Sequence, residues 1–231
     1  EHNYCGNQTL LQRIAEQLQV NKPTSSNEQQ VDGDDDRIIG SNLGIMESVA
    51  KQNEHRRAAV LICVFEEGHG GELRVILTKR SMNLSSYPGD VALPEGKMED
   101  GDADDSATAL REAMEEIGLD PHLVQVAAHL EPFNSKNQLN VVPVIGLLAK
   151  MEDFKPVLNP DEVDAFSMYN WKCFSREWMG YKYIQHHFDF ETSKQGVFPI
   201  CGLTASILIR AASIIYQRVP LFNSQLASSS S

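Results

Sequence analysis

The alternation of apolar and polar positions divides the chain into a short amphipathic segment, a polar stretch, and a long region of strands and helices. In residues 9–19, Leu10, Leu11, Ile14 and Leu18 recur at helical spacing and share one face. The spacing predicts a helix whose apolar stripe packs on the rest of the domain or on a second copy in a homodimer. Residues 21–37 are polar, acidic and rich in breakers, which predicts a flexible linker.

From Ala58 the pattern changes. The run AAVLICVF suits a strand buried on both faces; a glycine-rich turn at residues 68–71 follows, and residues 74–78 resume as a second strand, so a hairpin is expected. Residues 102–117 carry Ala107, Ala109, Leu110, Ala113 and Met114, with Asp104 or Asp105 available to cap the start and Gly118 to stop the helix. Residues 123–130, 141–148 and 181–190 read as strands, and 203–218 as a further helix with Pro220 beyond it. Mixed strands and helices predict an α/β fold, a sheet covered by helices. The division expected is a helix and linker over 1–37, one globular domain over 38–222, and a disordered tail over 223–231.

At 231 residues with 42% hydrophobic content, the chain is long enough for one domain with a sizeable core. Its formal charge of −12 argues against nucleic acid or an anionic membrane as partner, since binding a polyanion relies on clustered Lys and Arg. No run of about 18 apolar residues predicts a membrane span. Cys5, Cys63, Cys173 and Cys201 are scattered, which favours reduced thiols in an intracellular compartment over a zinc site or a disulfide framework.

The acids are concentrated where chemistry is expected. In residues 96–119, GKMEDGDADDSATALREAMEEIGL, Glu112, Glu115 and Glu116 lie three and four residues apart on one helix face. Like charges so spaced cost roughly 0.2–0.5 kcal/mol per pair, and Arg111 relieves part of it. Acids at i and i+4 are commonly a solvated face. They are also what a hard cation such as Mg²⁺ takes from a protein: one or two carboxylates, with waters and substrate phosphate oxygens completing the shell.

The string REAMEEIGL decides between these readings. It resembles the second half of the Nudix box, Gly-x5-Glu-x7-Arg-Glu-U-x-Glu-Glu-x-Gly-U with U apolar, at every fixed position: Arg111, Glu112, Ala113, Glu115, Glu116, Gly118 and Leu119. Counting back from Arg111 puts the box glycine at residue 97. Here Gly96 is the glycine, Asp102 stands for the first acid, and the loop is one residue longer. Upstream, ILTKRSMNLSSYPGDVALPEGK resembles LLTxR(S/A)x3Rx3Gx3FPGG, the signature of the coenzyme A branch of that family. Leu77, Thr78, Arg80, Ser81, Gly89, Pro94 and Gly96 agree, whereas Ser85 replaces an arginine, Leu93 a phenylalanine and Glu95 a glycine. From about Ala59 to Pro220 the chain is similar to plant Nudix hydrolases of this branch.

That resemblance implies a mixed sheet sandwiched between helices (α/β/α) and a metal-dependent hydrolase of diphosphates, with Mg²⁺ or Mn²⁺ as cofactor. The favoured substrate is coenzyme A or its acyl or oxidised forms, cut to 3′,5′-ADP and 4′-phosphopantetheine. Alternatives are an oxidised nucleotide, an ADP-sugar, or a silent nucleotide-binding module in which Glu95 spoils the loop. It implies Glu112 and Glu116 as metal ligands, Glu115 as an acid orienting the attacking water or a further ligand, and Arg111 as a buttress of loop and helix. For Arg80, contact with a substrate phosphate and a plain strand-end charge are both open, and Lys79 is a second cation at hand. Glu162, in NPDEVDA, is a candidate further acid. His186 and His187, adjacent on an expected strand, point to opposite faces and form no pair. The Trp171 and Trp178 region reads as a loop or lid. Cytoplasm and mitochondrion both remain as compartments.

Overall fold

In the computed structural model the described residues are 10–20, 56–68, 71–135, 138–171, 188–192 and 196–217. Within them the chain runs α1 (Leu10–Val20), β1 (Arg57–Glu66), β2 (Leu73–Arg80), β3 (Val91–Ala92), β4 (Glu95–Lys97) and α2 (Asp105–Ile117). It continues with β5 (Val124–His129), β6 (Phe133–Asn134), β7 (Asn140–Leu148), β8 (Val163–Asn170), β9 (Phe188–Thr192), β10 (Gly196–Ile200) and α3 (Gly202–Ile215). The expected linker at residues 21–37, the tail at 223–231, Trp178, and His186 and His187 lie outside the described residues.

Strand β1 is the centre of the fold. Among the described residues, eight strands join in one mixed sheet whose main path is β3-β2-β1-β7-β5. The hairpin expected from the glycine turn forms, with Val64 opposite Val75. On its other edge β1 runs parallel to β7, with Ala58 beside Val141 and Val64 beside Leu147. The pleat explains why AAVLICVF is apolar throughout. Ala58, Val60, Ile62 and Val64 enter one core, and Ala59, Leu61, Cys63 and Phe65 the other.

Each core belongs to different helices, which makes the fold the α/β/α sandwich expected. The first is closed by α1 through Leu11, Ile14, Ala15 and Leu18, and by α3 through Ala205, Leu208 and Ala212. The apolar stripe of α1 is therefore satisfied within the chain, and Gln17 Nε2 donates to the carbonyls of Ile214 and Ile215 at the end of α3. The second core is closed by α2 through Ala109, Ala113 and Ile117. Trp171, expected in a loop or lid, is fully buried just beyond β8 in the first core. An apolar indole at a strand end is drawn inward wherever the cores leave volume to fill, which local pattern does not reveal. Of the strand expected at 181–190, the described part is β9, which pairs with β10 as a separate ribbon.

Candidate active site

Three local devices hold α2 against the sheet. Asp104 caps the helix, its Oδ1 accepting from the Ala107 N–H at 2.8 Å, while Asp105 receives both nitrogens of the Arg57 fork at 2.6 Å. Arg57 opens β1, so this pair ties the start of the helix to the central strand. At the other end Gly118 adopts φ +71°, and its N–H and that of Leu119 close back on the Met114 and Ala113 carbonyls.

With α2 so placed, β4 passes beside it. Strand β4 pairs with β1, setting Gly96 opposite Ala59 and Glu95 opposite Val60. The Glu112 carboxyl rests directly over Gly96, so close that a Cβ there would lie 1.9 Å from its Cδ. One residue back, the Glu95 N–H donates to Glu116 Oε1 at 3.3 Å. The β4 backbone therefore meets the two acids that lie one helical turn apart on α2.

The electrostatics of these acids are unusual. Burial pushes the Glu112 carboxyl up to about 7; Arg111 opposes this, and the negative charges of Glu115 and Glu162 add to it. Glu116 is pushed up to about 8, again chiefly by burial, with the Glu95 N–H opposing and the Glu95 and Glu112 carboxylates adding. Among the described residues, the buried Glu116 Oε2 has no hydrogen-bond partner. Burial raises Glu95 as well, against the pull of Arg80. A buried carboxylate oxygen without a donor, among like charges, is costly as it stands and suits a cation.

Arg111 is absorbed by structure. Its guanidinium meets Asp102 through Nε and a terminal nitrogen, both at 3.0 Å, and donates to the Lys97 carbonyl at 2.9 Å. It also lies 2.9 Å from Glu112 and 3.1 Å from Glu115. Asp102 in turn accepts from the Glu99 N–H and the Thr108 hydroxyl, and the hydrogen bonds from Arg111, first among these causes, hold its carboxyl below the usual range. The acid read as the counterpart of the first box glutamate is thus the clamp that folds the 97–102 loop onto α2. The sequence displayed both residues; that they pair across nine positions was not legible, because Asp102 lies in the aperiodic loop that precedes α2.

The remaining expected residues separate by face. Glu115 is half exposed beside Arg111, flanking the Glu112–Glu116 pair. Arg80 reaches Glu95 at 3.5 Å, on the site side of β2. Lys79, its neighbour, goes to the other side, paired with Asp164 at 3.2 Å and lying 4.7 Å from the centre of the Phe198 ring. The period of two in a strand sends adjacent residues to opposite faces, so Lys79 and Arg80 do not share the site. The loop before β8 also closes on α2. The Asn159 N–H donates to the Glu116 carbonyl and that of Ser81 to the Glu162 carbonyl, which brings Glu162 near enough to bear on Glu112. Among the described residues no three His, Cys, Asp or Glu side chains stand ready as a ligand set. A cation here would draw on the Glu112 and Glu116 pair, with backbone, water and substrate oxygens completing its shell.

Residues 55–188 match the NUDIX domain family. The chain is 49% identical to "Nudix hydrolase 15, mitochondrial" of Arabidopsis thaliana, over 87% of this chain and 75% of that protein. It is 46% identical to "Nudix hydrolase 22, chloroplastic" of the same plant, over 95% and 77% respectively. It is 38% identical to the mouse (Mus musculus) "Peroxisomal coenzyme A diphosphatase NUDT7", over 66% of this chain and 68% of that protein.

Proposed function

This chain belongs to the Nudix family, whose members hydrolyse pyrophosphate bonds, and we propose that the diphosphate it cuts is that of coenzyme A or of its acyl or oxidised forms. The products would be 3′,5′-ADP and 4′-phosphopantetheine. The observation that carries this reading is the stretch 77–96, which keeps Leu77, Thr78, Arg80, Ser81, Gly89, Pro94 and Gly96 of the coenzyme A signature. The likeness to a mouse coenzyme A diphosphatase over two thirds of that protein supports it.

Nudix hydrolases generally need a divalent cation, and the residues present fit one: Glu116 Oε2 has no partner among the described residues, and Glu112 lies over a glycine that leaves its carboxyl room. We assign Glu112 and Glu116 as the ligands, for Mg²⁺ or Mn²⁺. When bound, such a cation neutralises charge developing on the phosphoryl oxygens. The chain's own groups do the rest by position. Glu115, flanking the pair, serves as a further ligand or orients the attacking water. Arg80 meets an oxygen of a substrate phosphate. Arg111, with every nitrogen engaged by loop and helix, holds Glu112 and Glu115 in place. Glu162 adds negative charge beside Glu112. Of cytoplasm and mitochondrion, the mitochondrial designation of one plant relative supports the mitochondrion; the chloroplastic designation of the other points to a further organelle.

The test is incubation with coenzyme A and Mg²⁺ or Mn²⁺, beside the Glu116→Gln variant, with the products separated by chromatography. Release of 3′,5′-ADP that requires both metal and Glu116 is the expected result. Intact coenzyme A alongside cleavage of ADP-ribose would discard this substrate and keep the chemistry.

A further inference from the structure

Glu95 stands where the coenzyme A signature has a glycine, and the fold gives its side chain a specific counterpart. Strand β2 ends at Arg80 and β4 begins at Glu95, and the two side chains meet at 3.5 Å between an Arg80 terminal nitrogen and Glu95 Oε1. This contact balances charge but leaves the fork poorly filled. It lies at the long limit of a hydrogen bond, and Arg80 Nε is buried without an acceptor among the described residues. A phosphate, able to offer two oxygens at once, fills a guanidinium fork as a single distant carboxylate oxygen does not.

The two halves of Glu95 are held differently. Its backbone is fixed by the ladder to Val60 and by the N–H donated to Glu116 Oε1. Its side chain is partly exposed, and Arg80 is the one hydrogen-bonding partner described for its carboxylate. The carboxylate is therefore able to leave while the backbone beside the acids stays in place.

We propose that Glu95 sets the affinity of the site by occupying Arg80 in the substrate-free protein, so that a ligand's phosphate must displace it. This rests on the reading of Arg80 as the phosphate contact. The ligand class concerned is a nucleoside diphosphate or its ester, whose phosphate charge can replace a carboxylate on a guanidinium. Masking lowers affinity by the same factor for every ligand whose phosphate must displace the carboxylate.

The experiment is calorimetric titration with ADP in the presence of Mg²⁺, so that no turnover is needed. The chains compared are the unaltered protein, Glu95→Gln, Glu95→Gly, Arg80→Ala and the double variant Arg80→Ala/Glu95→Gln. Either Glu95 variant is expected to bind ADP about two- to fivefold more tightly, the worth of a partly exposed ion pair. Arg80→Ala binds more weakly, and the double variant matches Arg80→Ala, because the mask has nothing left to cover. If Arg80→Ala binds ADP as well as the unaltered protein, Arg80 is not the phosphate contact and the underlying reading falls. If Arg80→Ala weakens binding but neither Glu95 variant tightens it, the masking role alone is overturned. A gain that persists undiminished without Arg80 also overturns it, since Glu95 would then act by repelling anions directly.

Discussion

Gly96 and Glu112 occupy each other's space: the carboxyl of the helix residue fills the volume that any side chain at residue 96 would need, with Cδ 1.9 Å from the place a Cβ would take. The glycine is required here by close approach. Gly96→Ala should push the Glu112 carboxyl aside, since the end of a flexible side chain yields before β4 does. The expected outcome is metal affinity lowered about 10- to 100-fold, the usual scale for disturbing a ligand's support, with the melting temperature little changed. Titration of Mn²⁺ against activity, beside a thermal melt, checks both.

Glu116→Gln should abolish metal-dependent turnover while the metal-free protein melts at the same temperature or higher. The carboxylate it removes is buried, lacks a partner on Oε2 and faces like charges, so its loss relieves the fold. Turnover near normal at saturating Mg²⁺ would take Glu116 out of the metal site.

The pH dependence of the metal-free protein follows from the same groups. Glu112 and Glu116 titrate near 7 and near 8 in the folded chain, above their ordinary value of 4.5, so the folded state holds more protons than the unfolded state across that window. Their contribution is fully present below pH 4.5 and is lost as pH rises through 7 and 8. Melting temperatures with EDTA should therefore fall from pH 5.5 to pH 8.5, less steeply in Glu116→Gln. Adding Mg²⁺ should raise them most at the alkaline end, where both carboxylates are charged. A Mg²⁺ shift larger at pH 5.5 than at pH 8.5 would contradict these assignments.

Arg111→Lys keeps the charge and loses the fork. Arg111 bonds Asp102 through two nitrogens and the Lys97 carbonyl besides, which a single ammonium cannot reproduce. The variant should lose about 1–3 kcal/mol of stability, the range for breaking a partly buried charged network, and most of its activity as Glu112 and Glu115 lose their anchor. Asp102→Asn should do much the same, and the two together should cost less than their sum. Denaturant unfolding of the four proteins measures that coupling; full additivity would show that the pair does not act as a unit.

What the sequence settled by itself is local. The run AAVLICVF announced a strand buried on both faces, because an apolar residue at every position satisfies two cores when successive side chains point opposite ways. The spacing of Glu112 and Glu116 placed both on one helical turn, and Asp104 or Asp105 with Gly118 bounded the helix, since capping depends on residues a few positions away; the structure makes Asp104 the cap. The upstream glycine and its neighbours were visible as letters, but their use was not. That Gly96 makes room for Glu112, that Asp102 clamps Arg111, that Arg80 turns to the site while Lys79 turns away, and that the loop of Glu162 closes on α2 are contacts between elements far apart in the chain. No periodicity encodes these partners, although the period of two does set Lys79 and Arg80 on opposite faces. They exist because β1 pairs with β4 on one edge and β7 on the other, and because α2 docks on the face this pairing creates, so only the packed sheet decides which acids share a space.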